Sequence, residues 1–302
     1  MSYLILFFNI LTLFFWVRLW SAPAREFYFN PFLSGTVKLT DSVLSFLRPV
    51  LYMPAQAAAF CVMLFLVVFK TVALYRLNVG WGITVGTYFN FSPPATANPA
   101  VAILFFSFMQ TAMFIIRLWT VYLLVRLITP AFRKSRALEA LGFFCRPFSW
   151  TPFALQPPLA LLALHGAIAL ILTRTGGLGI TPHPLGEPRA AAVSPFLQGS
   201  IALQLLKTGW LAALSVADGL MLLTRCLFAL ILGNLLSAIT RAQGLSLICG
   251  EGVEMLLGRF ARRGAAGMGF DFTPLIFFFV VDLLYNSICQ ALLRLIHSPM
   301  FN

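Results

Sequence analysis

PAVAILFFSFMQTAMFIIRLWTVYLLVRLI, residues 99–128, is the stretch on which the fold turns. It carries only two charges, Arg117 and Arg126, and the second lies close to its end. A helix rises about 1.5 Å per residue, so about 20 apolar residues cross the roughly 30 Å hydrocarbon core of a bilayer. The stretch therefore reads as a transmembrane helix. Outward from it, runs of the same kind cover residues 3–20, 54–77, 158–173, 216–239 and 272–295. The expected fold is all-α, a polytopic bundle of about six spans. Composition agrees: of 302 residues, 60% are hydrophobic and 10% charged, with a mean hydropathy of +0.90. Soluble domains carry roughly 25% charged residues, so a water-soluble globule is excluded.

Charge sets the expected orientation. Arg18, Arg25, Lys38 and Arg48 follow the first span, and Arg126, Arg133, Lys134, Arg136 and Arg146 follow the third. Arg241, Arg259, Arg262 and Arg263 follow the fifth, whereas the other two connections hold only Arg76, Arg174 and Arg189. Basic residues concentrate in cytoplasmic loops, which places both termini in the periplasm of a bacterial inner membrane. The net charge of +12 has this source, and no nucleic-acid signature accompanies it. Anionic lipid headgroups are the expected partners of the basic segments, at about 1 kcal/mol per residue. Ala22-Pro23-Ala24 resembles a cleavage site, but no basic residue precedes the apolar run, so an uncleaved first helix is expected.

Residues 199–240 are too long for one upright span, and Asp218-Gly219 reads as a possible turn. A break there would give seven spans. Residues 200–215 are taken instead as an interfacial or re-entrant approach to the fifth span. Residues 175–195, rich in Gly and Pro, read as a loop.

The end of the quoted stretch also exposes a repeat. Val125-Arg126-Leu127-Ile128-Thr129 stands 108 residues after Val17-Arg18-Leu19-Trp20-Ser21, and Asn234 stands 108 residues after Arg126. The same offset relates Asn9, Arg117 and Arg225. Three helix-hairpin units follow: 1–78, a degenerate 99–174, and 199–297. Each joins its two helices by a basic amphipathic segment. In the first unit Leu39, Val43, Leu44 and Leu47 share a face, with Lys38, Asp41 and Arg48 largely off it. In the third, Val253, Leu256, Leu257 and Phe260 stand beside Arg259, Arg262 and Arg263. Such segments lie in the membrane interface with basic groups toward the headgroups.

Gly269-Phe270-Asp271-Phe272-Thr273-Pro274-Leu275 resembles the Gly-x-Asp-x-Ser/Thr-Pro opening of the second helix in the YggT (YlmG) family of integral membrane proteins. The Asn30-Pro31, Leu39-Thr40-Asp41 and Arg48-Pro49 elements are similar to that family's, and the middle unit keeps Leu138-Glu139 and Arg146-Pro147 without the Gly-x-Asp opening. The likeness covers about half the chain, and three helix pairs depart from the family's usual one or two. The resemblance implies a non-enzymatic bacterial inner-membrane or plastid protein. Family roles range over osmotic or potassium stress, cell division and nucleoid placement, and cytochrome maturation. Independently of the family, Pro274 suits a first helical turn, and Asp271 suits a cap at the positive end of the helix dipole.

Ionisable groups inside spans cost about 2.5–3.5 kcal/mol at a helix centre. Here they are Lys70, Arg117, His165, Arg225 and Asp282. Asp282, Asn286 and Gln290 form an i, i+4, i+8 stripe expected to face the bundle interior, and Arg225 matches Asp282 in depth, so the two are expected to pair. Lys70 and Arg117 are expected nearer the span ends, reaching for the interface. His165, with no second histidine at its depth, is expected to be a packed or hydrogen-bonded side chain. Cys61, Cys145, Cys226, Cys249 and Cys289 form no C-x-x-C pair and read as free thiols. No Walker loop, nucleophile elbow, zinc-protease motif or paired-carboxylate constellation is present. No catalytic, cofactor or metal site is therefore expected. The leading reading is a scaffold, assembly factor or accessory subunit of a membrane complex, with other membrane subunits as partners. The alternative is a small ion channel or transporter. Cysteine labels introduced at positions 136 and 262 are expected to react from one side of the membrane; labelling from opposite sides would overturn the span count and the repeat.

Overall fold

With no water to bond, an apolar segment in lipid must satisfy its backbone internally, and a helix does so within one segment. The computed structural model describes residues 3–20, 30–77, 82–86, 89–93, 99–128, 135–150, 156–175, 177–180, 189–190, 199–240, 243–264 and 273–296. Nine α-helices occur among these residues: α1 Tyr3–Trp20, α2 Pro31–Leu51, α3 Ala55–Leu77, α4 Pro99–Ile128, α5 Arg136–Phe144, α6 Gln156–Thr175, α7 Ile201–Thr240, α8 Gln243–Gly264 and α9 Thr273–Ile296. The chain is thus predominantly helical. Four helices are long and apolar enough to cross a membrane, within α3, α4, α6 and α7, as befits a membrane protein. α1 and α9 add shorter apolar stretches, Leu4–Trp20 and Ile276–Ala291.

α7 departs from expectation. It is one continuous helix of 40 residues, about 60 Å long, with no break at Asp218-Gly219. Of residues 200–215, its first part, Ile201, Leu205 and Leu206 are exposed, and packing begins at Lys207, with Leu211, Ala212, Leu214 and Ser215 also buried. Gly219 permits a close crossing rather than a turn: a Cβ there would stand 2.7 Å from Thr120 Cγ2 on α4. Small residues at such crossings let helix backbones approach.

A four-stranded antiparallel sheet, unforeseen in the sequence, joins two of the connections. β1 (Ile83–Val85) pairs with β2 (Phe89–Ser92), β2 with β3 (Gly177–Ile180), and β3 with β4 (Arg189–Ala190). Residues 175–195, expected to be a loop, supply its second half. Ile83, Val85, Phe89 and Phe91 are buried and join the largest core cluster, with Phe106 and Met113 of α4 and Leu211 and Leu214 of α7. The first hairpin is a plug within the helices.

At the opposite ends of the helices, α2, α5 and α8 touch one another pairwise. Their docking is specific. The Glu251 carboxylate of α8 accepts from the N–H groups of Arg136 (2.6 Å) and Ala137 (3.2 Å) and from Ser135 Oγ (3.3 Å), capping α5. Ser135 itself accepts from Leu138 N–H. An anion at this end also complements the helix dipole. Asn30, just before α2, donates to the Arg136 carbonyl at 3.1 Å, and Arg18 of α1 pairs with Asp41 of α2. The inward face of α2 is Leu33, Val37, Thr40 and Leu44, rotated from the expected one; Leu39, Val43 and Phe46 are exposed. A leucine-rich helix at an interface can turn one apolar row to the protein and another away. Replacement of Glu251 by Ala is expected to cost about 1–2 kcal/mol, the scale of a lost cap. Thermal unfolding in detergent reads this, and an unchanged midpoint would show that the cap contributes nothing.

Candidate functional site

The first hairpin reaches deep. α6 has 20 residues, about 30 Å, close to the thickness of a hydrocarbon core. His165 stands at its middle and bridges α4 and α7: Nε2 lies 3.1 Å from Thr120 Oγ1, and Nδ1 lies 2.8 Å from Ser215 Oγ. The Thr120 hydroxyl also donates to the Ile116 carbonyl, and the Ser215 hydroxyl to Met113 Sδ. Both ring nitrogens are thereby engaged, and His165 is the hydrogen-bonded histidine its isolation implied. Arg117 and Asp218 lie three residues from Thr120 and Ser215, about 4.5 Å along their helices. They belong to the same middle level.

There they meet the hairpin tip. Arg117 Nη2 donates to the Thr84 carbonyl at 2.7 Å and pairs with Asp218. The Asp218 carboxylate also accepts from the Gly86 N–H at 3.1 Å and from Tyr285 Oη of α9 at 2.8 Å. Gly86 has φ of 61°, a left-handed conformation suited to glycine at a tight turn. Irregular backbone at membrane depth is tolerated only where protein or enclosed water satisfies it. Arg117 and Asp218 do that for the tip, one binding a strand carbonyl and the other a turn amide. Higher up, Gln110 Nε2 donates to the Gly82 carbonyl at 3.2 Å.

Beside this network lies a cavity of about 460 Å³. Its polar wall includes Asn90, Arg117, Asp218, Arg225 and Tyr285; Ile5, Met113, Phe114, Met221 and Leu222 supply apolar wall. Several of these residues obey the 108-residue offset: Ile5, Met113 and Met221; Phe114 and Leu222; Arg117 and Arg225; Gln110 and Asp218.

A second polar centre joins α1, α3 and α4. Lys70 is 1% exposed, and its ammonium donates to Asn9 Oδ1 (3.2 Å), the Ser107 carbonyl (2.9 Å) and Thr111 Oγ1 (2.8 Å). Three donors meet three neutral oxygens. Neither Lys70 nor Arg117 snorkels as expected; each is held within the bundle by groups from other elements.

The expected Arg225–Asp282 pair is not made. Among the described residues the ion pairs are Arg18–Asp41 and Arg117–Asp218. α9 turns Val281, Tyr285 and Cys289 inward, so the Asp282, Asn286 and Gln290 stripe, about 100° further round, faces away from the bundle. Asp282 accepts from Asn286 Nδ2 at 3.1 Å. Matching depths along two helices fixed their levels but not the directions of their side chains. The missed residue was Asp218, the acid within residues 200–240. Its place in an apolar run was the signal, masked by the turn-like Asp-Gly pair.

The remaining expected residues scatter. Lys38 is exposed on α2. The Arg146 guanidinium lies 3.9 Å from the Phe143 ring centre and 5.6 Å from that of Trp150, cation–π contacts, while its carbonyl accepts from Trp16 Nε1. Thr273 and Pro274 open α9. Gly269 and Asp271, and the side chains of Arg48, Arg259, Arg262, Arg263, Thr273 and Pro274, lie outside the described residues. Burial pushes the Cys145 thiol well above its usual range, the reverse of what a nucleophile requires.

No family model, curated protein or solved structure matches the chain.

Replacing Asp218 with Asn removes the charge that Arg117 pairs with while keeping most of the shape. Breaking a buried pair costs about 3–5 kcal/mol, so the thermal midpoint should fall and Gly86 N–H should exchange faster with deuterium. A variant with wild-type protection at Gly86 would show that the tip is held by other means.

Proposed function

We propose that the chain is a non-enzymatic multi-pass membrane protein of YggT-like character, acting as a scaffold, assembly factor or accessory subunit of a larger membrane complex. The carrying observation is the outward stripe on α9. Asp282 and Gln290 are exposed and Asn286 is partly so, with Asp282 nine residues into a 24-residue helix. A carboxyl group facing lipid near a helix centre is expensive, and a neighbouring helix with a hydrogen-bond donor or a cation would relieve that cost. In this reading α1, α3, α4, α6, α7 and α9 are six spans forming three hairpins. Contacts within the pairs α1–α3, α4–α6 and α7–α9, mutual contact of α2, α5 and α8, and the 108-residue spacing around the cavity support three related units. The amphipathic layer lies at the cytoplasmic face of a bacterial inner membrane, with both termini periplasmic. Lys38, exposed on α2, faces anionic headgroups there, and exposed Leu39, Val43 and Phe46 enter the acyl boundary.

A second reading, a small ion channel or transporter, draws on the re-entrant hairpin, the cavity and buried Lys70. The two separate by experiment. Purified in mild detergent from its native membrane, the protein should bring a stoichiometric membrane partner that Asp282→Leu releases without changing the fold. Isolation alone, with ion flux in liposomes that ignores Asp282→Leu, would replace the first reading by the second.

A further inference from the structure

We infer that the cavity between α1, α4, α7, α9 and the first hairpin binds a monoanionic amphiphile, an oxyanion head on an apolar body. Charge is the first argument. Two guanidiniums and one carboxylate line the cavity, leaving one positive charge in excess. Asp218 is fully engaged by Arg117, Gly86 and Tyr285. Arg225 lies within electrostatic range of Asp218 yet makes no hydrogen bond or ion pair among the described residues. A cation left unpaired in a span is costly, and a bound anion removes that cost.

Unused hydrogen-bonding capacity is the second argument. Arg117 Nε and Asn90 Oδ1, both of residues in this wall, are buried without partners. Nε offers a further donor to an anion beside Arg225, and charge-assisted bonds of this kind are among the strong ones. Asn90 Oδ1, an acceptor, would take a donor from water, or from a glycerol hydroxyl where the anion is phosphatidylglycerol.

Shape is the third. A volume of about 460 Å³ is that of a small-molecule site, far larger than a halide needs. Two methionines in the apolar wall adapt to unbranched or irregular bodies. Oxyanion and aliphatic chain together describe both a free fatty acid and an anionic phospholipid.

Octanoate and phosphatidylglycerol tell these sources apart, with octan-1-ol and phosphatidylcholine as uncharged or zwitterionic counterparts. The full-length protein, stripped of lipid in nonionic detergent, is titrated with each and followed by thermal shift and native mass spectrometry. Octanoate binding that octanol does not match, weakened about tenfold or more in Arg225→Gln and recovered in part by Arg225→Lys, would support a free carboxylate. The same pattern for phosphatidylglycerol over phosphatidylcholine would support a lipid. Arg225 makes no hydrogen bond to the hairpin, and its charge is a cost without an anion, so Arg225→Gln should leave the ligand-free midpoint no lower than wild type. Met221→Trp tests the site independently, since an indole would fill the apolar wall while both arginines remain. Equal binding of charged and neutral probes, or binding indifferent to both Arg225→Gln and Met221→Trp, would overturn the inference.

Discussion

The carboxylate of Asp218 is the interaction on which the centre of this protein depends. It receives a guanidinium from α4, a phenol from α9 and a backbone amide from the hairpin tip. Without it, a turn in the middle of the bundle would present a polar backbone to an apolar surrounding, and Arg117 would be a bare cation. A buried ion pair is a weak source of stability by comparison with a well-packed apolar core. Its value here is positional, because it fixes three helices around one peptide turn. His165 adds a second tie about one turn away, joining α4, α6 and α7 through two hydroxyls.

The structure separates two polar layers with different physics. In the middle, few groups interact, most of them buried, with geometry set by helix crossings such as Gly219 against Thr120. At the amphipathic end, α2, α5 and α8 are linked by caps and side-chain-to-backbone bonds from Glu251 and Asn30. The first kind of contact resists water; the second tolerates it. A protein built from both can accept a ligand or a partner at one layer while the other holds the helices together.

The apolar helices were legible because lipid imposes a simple rule on composition. Residues 3–20 and 99–128 became α1 and α4 with the same bounds. The amphipathic segments were legible as elements, but not in their rotation: Leu39 and Val43 point outward where Leu33 and Val37 pack. Short strands such as Ile83–Val85 gave no periodic signal against an apolar background. They are held by long-range partners, β3 at Gly177–Ile180 and the helices of the core, that local pattern does not reveal. The polar positions of the centre were partly visible, since Arg117 and Arg225 share one offset and one cavity wall. Which acid each would meet was not, because hydropathy reports depth and says nothing about azimuth.

Lys70 carries a consequence for biogenesis. Its three oxygens come from α1 and α4, so two of them belong to a helix synthesised after it. On leaving the insertion machinery alone, α3 would bear an ammonium toward lipid with a single amide for company. Its comfortable residence in the bilayer must wait for the next hairpin. α3 and α4 are therefore coupled in the order of their making, and a cut between them would leave the earlier helix chemically unfinished.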